Sequence, residues 1–230
     1  MTPESTVENI TGLLVVWVAG WAGCRGYQTS REGGFPAALR TDTSGEWEYF
    51  ASDPTDEEFA ALAARAAQAP ATALTILSND TARYTALAAK YRLNVTSDTQ
   101  AMMIVDMETQ DAEDPWLSDD DLALTTSEQD GVHYAVVHSG DAVAASGRVF
   151  VVGETAVFDR IITEPDFQRR GLGSFIMRAL AAQAFAHDVQ NGLLLASLDG
   201  QHLYSHLGWT TVSRVLMLSA SRDGADLSLS

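Results

Sequence analysis

Apolar residues at helical spacing predict a helix near the start of the chain. The stripe lies within positions 7–22 and is formed by Ile10, Leu14, Trp17 and Trp21. Side chains that recur every third or fourth residue share one face of a helix, so this stripe is expected to pack inward. Two strand-like runs follow at 33–40 and 46–51, around a turn-rich connection at 42–45, and together they favour a hairpin.

A helix-start signal follows the hairpin. The side chain of Thr55 can accept a hydrogen bond from the backbone at a helix start. The side chain of Glu58, three residues later, can accept one from the backbone of Thr55, which is the pattern of a capping box. This helix is expected to end near Gln68, before Pro70. The pattern then gives a β-rich run at 72–77, an Ala-rich helical run at 81–91 and a strand candidate at 100–107. The first half is therefore of mixed α/β type.

An acidic stretch that contains a proline follows at residues 108–115. Such a composition, between two patterned segments, is typical of a linker. We expect a domain boundary near residue 110, with an N-terminal α/β domain at 1–110 and a second domain at 111–230. The sequence contains no internal repeat of short fixed period and no low-complexity tract.

Closely spaced strands begin the second half. The strand candidates lie at 133–138, 142–152 and 154–163. Only short glycine-containing turns separate them, which predicts an antiparallel meander. A polar loop at 165–173 leads into a helical stripe at 174–187. The remaining elements are a strand at 193–198, a short helix at 200–207 and a final strand at 212–220.

The charge balance disfavours two classes of partner. With 31 acidic and 14 basic residues, the formal net charge is −17, so the average surface repels nucleic-acid phosphates and anionic lipids. We expect neither a nucleic acid nor a membrane as a partner. A negative field also favours a cationic small molecule, although solubility alone is the more ordinary explanation of such a charge.

Cysteine usage and hydropathy indicate a cytoplasmic protein. The single cysteine, Cys24, cannot form an intrachain disulfide and is no basis for a zinc site, so a reducing compartment is expected. The apolar run at 10–24 follows acidic residues and is shorter than the roughly 20 residues needed to cross a bilayer. We therefore expect neither a signal peptide nor a transmembrane span. His202 and His206 lack an apparent third ligand, so no metal is expected.

The passage with the most chemical information is Gln168-Arg169-Arg170-Gly171-Leu172-Gly173-Ser174, between a predicted strand and a predicted helix. Its two glycines allow a tight turn and a close approach of the backbone to a ligand. The unpaired amides of the following helix start can point at an anion. Two arginines beside it add positive charge in a chain that has few such residues. These features together indicate a cradle for a pyrophosphate.

Three other interpretations of the glycines compete with this one. A dinucleotide-binding fingerprint requires a third glycine and a βαβ setting, but residue 176 is Ile and the preceding strands are predicted to be antiparallel. A nucleoside-triphosphate loop requires a Gly-Lys-Ser/Thr ending, which this segment lacks. A plain glycine turn with solvated arginines remains open on the heptad alone.

Gln168-x-x-Gly171-x-Gly173 resembles the (Gln/Arg)-x-x-Gly-x-(Gly/Ala) signature of the GNAT superfamily of N-acetyltransferases. The segment 159–168 is similar to that family's fourth strand running into the loop, and 200–209 is similar to its Leu-Tyr-x-x-x-Gly-aromatic segment. The resemblance covers about residues 130 to 220, and residues 84–107 faintly resemble the end of a second, degenerate copy. It implies an α/β (α+β) fold with a mixed, mostly antiparallel central sheet, a splayed parallel strand pair and flanking helices.

The resemblance also implies a cofactor site for acetyl-CoA, a co-substrate, with no metal. Backbone groups of the fourth strand would pair with the pantetheine arm, and loop amides would hold the pyrophosphate. The residues concerned are Ile161, Ile162, Thr163, Gln168, Arg169, Arg170, Gly171, Leu172, Gly173, Ser174 and Ser197. Ser197 departs from the asparagine often found at the end of the fifth strand in this family, so a side-chain contact to the cofactor is in doubt there.

Two residues are the candidate catalytic groups. By the resemblance, Tyr204 occupies the position of the general acid, and a phenol with an ordinary pKa of about 10 can give a proton to a departing thiolate. Packing of the ring under the last strand is the ordinary alternative for Tyr204. Asp159 lies near the position of a glutamate base in some members, and the ordinary alternative is a strand-edge carboxylate that is solvated or paired with Arg160. His133 and Glu154 are second candidates for assisting the amine.

The function implied by this resemblance is transfer of an acetyl group from acetyl-CoA to a primary amine, with a small cationic molecule as the expected acceptor. Acetylation of a protein, at a lysine or an N-terminal amine, remains an alternative. A catalytically silent module that binds acyl-CoA and has a regulatory role is another. We expect a monomer or a homodimer.

Overall fold

The computed structural model describes residues 3–69, 72–111 and 121–220, apart from the side chains of residues 3–9. Its helices are α1 (Pro3–Arg25), α2 (Asp56–Ala66), α3 (Thr81–Lys90), α4 (Leu172–Ala184) and α5 (Leu198–His206). In the first half the strands are β1 (Gln28–Glu32), β2 (Phe35–Leu39), β3 (Trp47–Ser52), β4 (Ala73–Leu77) and β5 (Leu93–Asp106). The others are β6 (Leu122–Gln129), β7 (Val132–Ser139), β8 (Ala142–Val152), β9 (Thr155–Thr163), β10 (Asn191–Ala196) and β11 (Thr210–Ala220).

The described chain forms two compact units, each assembled from separate parts of the sequence. The first unit contains residues 3–18, 27–102 and 212–220, and the second contains 19–26 and 103–211. β11 therefore contributes mainly to the first unit although it follows the elements of the second. The predicted boundary near residue 110 stays a prediction, and residues 112–115 of the predicted linker lie outside the described residues.

The first unit is built on a short strand ladder and two helices. β1 with β2 and β2 with β3 pair antiparallel, β3 pairs parallel with β4, and β11 pairs antiparallel with β4. Phe59 of α2 and Tyr84 of α3 are both fully buried and their ring centroids lie 5.8 Å apart, so the two helices share one core. The predicted capping box is confirmed, because Thr55 and Glu58 exchange their side-chain and backbone hydrogen bonds.

The second unit is built on an antiparallel meander. β6, β7, β8 and β9 pair in chain order, and β9 then pairs parallel with β10. α4 packs across β7, β8 and β9. Gly147 allows this close packing, because a Cβ there would lie 2.6 Å from Ile161 Cδ1 and 2.7 Å from Ile176 Cγ2. A larger residue at 147 would force the helix away from the strands.

The predicted fold class is confirmed, since the strands pair mostly antiparallel and helices flank them. Each unit contains a parallel pair, β3 with β4 in the first and β9 with β10 in the second. The apolar stripe of α1 is also confirmed as buried: Ile10, Leu14, Trp17 and Trp21 are each less than a tenth exposed. Among the described residues no helix is both long and apolar enough to span a membrane. Two strands, β1 and β6, were not predicted.

Candidate functional site

β9 and β10 separate after a short parallel ladder. Their paired positions are Asn191 with Thr155, Gly192 with Ala156 and Leu193 with Val157. β9 continues to Thr163 and β10 to Ala196, and over these parts the described strands form no further pairs with each other. A gap therefore opens between two strands that begin side by side. Its edges carry backbone groups that an extended ligand arm can reach, as a peptide does at a free sheet edge.

A β-bulge in β9 stands where the gap opens. Asp159 pairs with Arg148 and Ile162 pairs with Ser146, so β9 has one more residue than β8 in this interval. Arg160, within the bulge, has a φ of 51°. A bulge of this kind interrupts the alternation of side chains between the faces of a sheet. Ile161 consequently packs near Gly147 under α4, whereas Ile162 is 44% exposed.

The loop after β9 leads into α4, whose N-terminus has no side-chain cap. Gly171, at the N-cap of α4, has a φ of 79°, and no side chain accepts a hydrogen bond from the first turn of this helix. The described helices α2, α3 and α5 each have such a cap, from Thr55, Asp80 and Ser197 respectively. The amides of Leu172, Gly173 and Ser174 precede the first intrahelical donor, Phe175, whose amide donates to the carbonyl of Gly171. These amides are therefore suited to hold an anion.

The space around the loop glycines fits a ligand. A Cβ on Gly171 would meet nothing within 4 Å, and its positive φ favours glycine. A Cβ on Gly173 would lie 3.0 Å from Leu203 Cδ2 and 3.8 Å from Thr163 Oγ1. The end of β9, the start of α4 and one side of α5 therefore meet at this point. Sequence reasoning did not identify Leu203, and its apolar type gave no signal.

Tyr204 is the phenol of this region. It is 7% exposed, and its ring centroid lies 5.9 Å from that of Trp209, which in turn makes an edge contact with Phe158. Burial, together with the nearby negative charge of Asp159, raises the pKa of the phenol to about 12. Tyr204 therefore holds its proton throughout the neutral range, as a general acid must.

Comparison with known proteins agrees with this geometry. A sequence model described as an acetyltransferase (GNAT) domain matches residues 130–211, which contain the gap, the loop and Tyr204. We refer to residues 130–211 as the GNAT domain after the model that they match. A search of the curated proteins gives no match by sequence.

Several solved structures are similar in fold to nearly the whole chain. A GCN5-related N-acetyltransferase from Kribbella flavida has a TM-score of 0.66 at 11% identity, over 93% of this chain and 95% of that chain. A tandem GNAT protein from the clavulanic acid biosynthesis pathway has a TM-score of 0.58 at 13% identity, over 94% and 95% of the two chains. A GCN5-related N-acetyltransferase from Sphaerobacter thermophilus has a TM-score of 0.53 at 10% identity, over 95% and 93%. At these identities the likeness concerns the fold.

In the GNAT domain the carboxylate of Asp159 is held by two guanidinium groups. Arg25 Nη2 lies 2.9 Å from Oδ1, and Arg148 Nη2 lies 2.8 Å from Oδ2. The Asp159 side chain is only 10% exposed. Taking up a proton would weaken both ion pairs, so this arrangement disfavours the predicted role as a base, which stays untested. Neither partner was predicted from the sequence: Arg25 lies 134 residues away along the chain, and the pairing of Arg148 with Asp159 depends on the register of β8 with β9.

Three residues predicted to bind the cofactor make contacts with residues close to them in the chain. Ser197 caps α5, with its Oγ accepting from the amide of Gly200 at 3.2 Å. Gln168 Nε2 donates to the carbonyl of Thr163 at 3.4 Å, and the Arg170 guanidinium lies over the Phe167 ring at 5.5 Å. Roles of these residues in cofactor binding therefore stay predictions.

The structure gives the surroundings of the other candidate residues, whose functional roles stay predictions. His133 is buried on β7, where its Nε2 lies 3.0 Å from Nε2 of His187, so it makes a structural pair. No group of three or more potential metal ligands occurs in the part of the chain that the structure describes, which includes His202 and His206. Glu154 is exposed, and its backbone carbonyl accepts from the amides of Gln190 and Asn191.

The first unit contains a similar strand–helix–strand element without the features of the GNAT site. β3 and β4 stay paired over all of β4, from Glu48 with Ala73 to Ser52 with Leu77. Thr55 caps the intervening helix α2, whose first turn is acidic. A capped and acidic helix start repels an anion instead of holding it. In the described part of this unit, the β3–α2–β4 element therefore has neither the gap nor the anion cradle.

Proposed function

We propose that this protein is an N-acetyltransferase that moves an acetyl group directly from acetyl-CoA to a primary amine. The observation that carries the proposal is the uncapped start of α4 at the mouth of the gap between β9 and β10. A diphosphate needs donors and positive potential, and an extended pantetheine arm needs backbone groups at a strand edge. The GNAT domain offers both within a few residues of each other.

In this proposal the residues after the β9 bulge have separate tasks. The backbone of Ile161, Ile162 and Thr163 lines the pantetheine arm, and the amides from Gly171 to Ser174 hold the diphosphate. Arg169 and Arg170 add positive charge at the loop, where the rest of the chain is strongly acidic. The exposed side chain of Ile162 gives the arm an apolar surface.

Acetyl-CoA supplies an activated acetyl thioester, and Tyr204 supplies the proton that its thiol group needs on departure. The amine nitrogen forms the new bond to the acetyl carbon while the carbon–sulfur bond breaks. Because the pKa of Tyr204 is raised, the phenol arrives protonated at this step. The amine, which is cationic in solution, loses two protons in all: one leaves before attack and frees the lone pair, and the other leaves after attack and is balanced by reprotonation of the Tyr204 phenol from solvent. Both pass to solvent because Asp159 is engaged by two arginines.

The proposed acceptor is a small molecule with an amine that is cationic in solution. The support is the net charge of −17, which attracts cations to the protein by its long-range field. A protein lysine or N-terminal amine is the alternative acceptor, and it would respond to the same field.

The test measures release of the free CoA thiol with acetyl-CoA and a panel of amines. The panel contains polyamines, aminoglycosides, amino acids and short peptides. Turnover with one class and not the others supports acetyl transfer and names the class. If no amine in the panel, and no folded protein substrate, releases CoA, the proposal of catalysis is wrong.

A catalytically silent module that binds acyl-CoA is the second candidate. The observation that favours it is the engagement of Asp159 by Arg25 and Arg148, which leaves its carboxylate poorly placed to act as a base. This candidate predicts acetyl-CoA binding by calorimetry with no thiol release above the rate without protein.

A further inference from the structure

The ion cluster beside the β9 bulge carries an excess of positive charge. Arg25 comes from the end of α1, Arg148 from β8 and Asp159 from β9, all within the second unit. Two guanidinium groups and one carboxylate give the cluster a formal charge of +1. This local sign is opposite to that of the whole chain, which carries −17. A second carboxylate beside Arg148 would bring the formal charge of these three groups and the added one to zero.

Arg148 keeps one edge of its guanidinium group unengaged. Its Nε and Nη2 both donate to Asp159 Oδ2, at 3.0 and 2.8 Å. No described residue accepts from Arg148 Nη1, and Nη1 is not among the fully buried donors without a partner. The side chain is 16% exposed. The Nη1–Nη2 edge is therefore reachable from outside, and it has the fork geometry that receives a carboxylate with two hydrogen bonds.

Arg25 contacts both Asp159 and an aromatic ring. Its Nε and Nη2 donate to the two carboxylate oxygens of Asp159, at 3.0 and 2.9 Å. Its guanidinium group also lies over the ring of Trp21, 5.0 Å from the ring centroid. Asp159 is thereby fixed in place, and Arg148 is oriented by it.

The cluster lies beside the position where transfer is proposed. Asp159 directly precedes Arg160, whose φ of 51° marks the bulge at the opening of the gap. The charge of Asp159 also acts on the phenol of Tyr204, so the two groups are within electrostatic reach of each other. Arg148 donates to the same carboxylate, so a ligand group on its outer edge would lie beside the residue that precedes the bulge.

We propose that Arg148 binds a carboxylate of the acceptor, so that the acceptor is an amino acid or a similar molecule with an amine and a carboxylate. This inference rests on the proposed function, which it narrows. The acidic surface attracts the amine at long range, and the guanidinium edge receives the carboxylate at the site. The Asp159 carboxylate and Arg25 hold that edge in its orientation.

The experiment compares amino acids with their α-amides, which keep the amine and lack the carboxylate. Each L-amino acid of a panel is measured beside its α-amide, and polyamines are included as amines without a carboxylate. Binding to the protein saturated with CoA is followed by calorimetry, and acetyl transfer is followed separately. Binding does not depend on turnover, so the two proposals can fail independently.

The variants are Arg148→Met, Arg148→Lys and, as a matched control, Arg40→Met. Arg40 also makes a half-buried ion pair, with Glu48 at 3.2 Å, but it lies in the first unit. For the unaltered protein we expect the carboxylate form to bind at least about tenfold more tightly than the amide. Arg148→Met should bind both forms alike, Arg148→Lys should show a reduced preference, and Arg40→Met should keep it while melting at a lower temperature.

Three results would overturn the inference. They are equal binding of acid and amide by the unaltered protein, binding of polyamines alone, and an intact preference in a folded Arg148→Met protein. Should Arg148→Met not fold, an undiminished preference in Arg148→Lys would have the same consequence. Carboxylate preference without acetyl transfer counts against the proposed function alone, whereas transfer to amines without such a preference counts against this inference alone.

Discussion

Gly173 and Leu203 approach each other so closely that a Cβ on Gly173 would stand 3.0 Å from Leu203 Cδ2. This contact joins the start of α4 to α5 in front of the gap between β9 and β10. Gly173→Ala would require the end of the Leu203 side chain to shift by a few tenths of an ångström. Because that end is flexible, we expect acetyl-CoA affinity to fall only a few-fold, which calorimetry can measure. A loss of all binding, with the fold intact, would contradict this expectation.

Gly171→Glu tests the anion cradle more severely. The change places a negative charge at the helix start and a side chain in the left-handed region, so we expect acetyl-CoA affinity to fall at least about tenfold. Gly140→Glu is the matched control, since Gly140 also has a positive φ, 57°, and open space around its Cα. Equal affinities of the two variants would show that the cradle does not hold the diphosphate.

One acetyl-CoA per chain is the expected binding stoichiometry. The first unit has no gap between β3 and β4, and Thr55 already satisfies the start of α2. Thr55→Ala should lower the free energy of unfolding by about 1 kcal/mol through loss of the cap. It should leave the calorimetric stoichiometry and affinity unchanged. A second equivalent of bound acetyl-CoA would refute the assignment of a single site.

Tyr204→Phe should lower turnover by roughly a hundredfold or more, with acetyl-CoA affinity nearly unchanged, because it removes a general acid and keeps the ring. The ring packing on Trp209 is retained, so the melting temperature should hardly change. With its pKa raised to about 12, Tyr204 should cause no loss of rate below about pH 10. The matched control is Tyr84→Phe, which loses a buried hydrogen bond to the carbonyl of Pro54 and should lower stability without affecting turnover.

Asp159→Asn separates a structural from a catalytic role. The change removes the carboxylate that both largely buried guanidinium groups contact, which should reduce the free energy of unfolding by about 3 kcal/mol. Turnover of the folded fraction should stay within about tenfold of the unaltered protein, whereas removal of a general base would cost about a hundredfold. Denaturant unfolding and single-turnover kinetics below the melting transition give these two quantities. A large loss of rate in the folded variant would restore Asp159 as the base.

The pair of His133 and His187 should make stability depend on pH. Burial, and to a smaller degree the charge of His187, lowers the pKa of His133 below 6.5, against an opposing effect of Glu128 across the ladder on β6. Below pH 6.5 the unfolded chain therefore binds more protons than the folded one, so the free energy of unfolding falls as the pH decreases from 6.5. Denaturant unfolding between about pH 7.5 and 5.5 measures this loss. His133→Gln should flatten the dependence, and an unchanged slope would assign it to other groups.

Much of the local structure followed from the sequence because its causes are local. The Thr55 and Glu58 pair formed as predicted, since the partners are three residues apart in one helix turn. β1 and β6 escaped prediction because they are polar strands with mostly exposed side chains, and they lack the alternation that marks a strand with one buried face. Their existence depends on neighbours in the ladder.

By itself the sequence determined the order of helices and strands in the GNAT domain, the glycine-bearing loop and the position of the phenol, because each depends on residues close together in the chain. The tertiary structure alone decided that β11 completes the first unit and that Arg25 reaches Asp159 across 134 residues. Such contacts arise when distant segments share one sheet or core, and no local periodicity records which segments will meet. The arrangement of charged groups around Asp159 was therefore determined by tertiary packing.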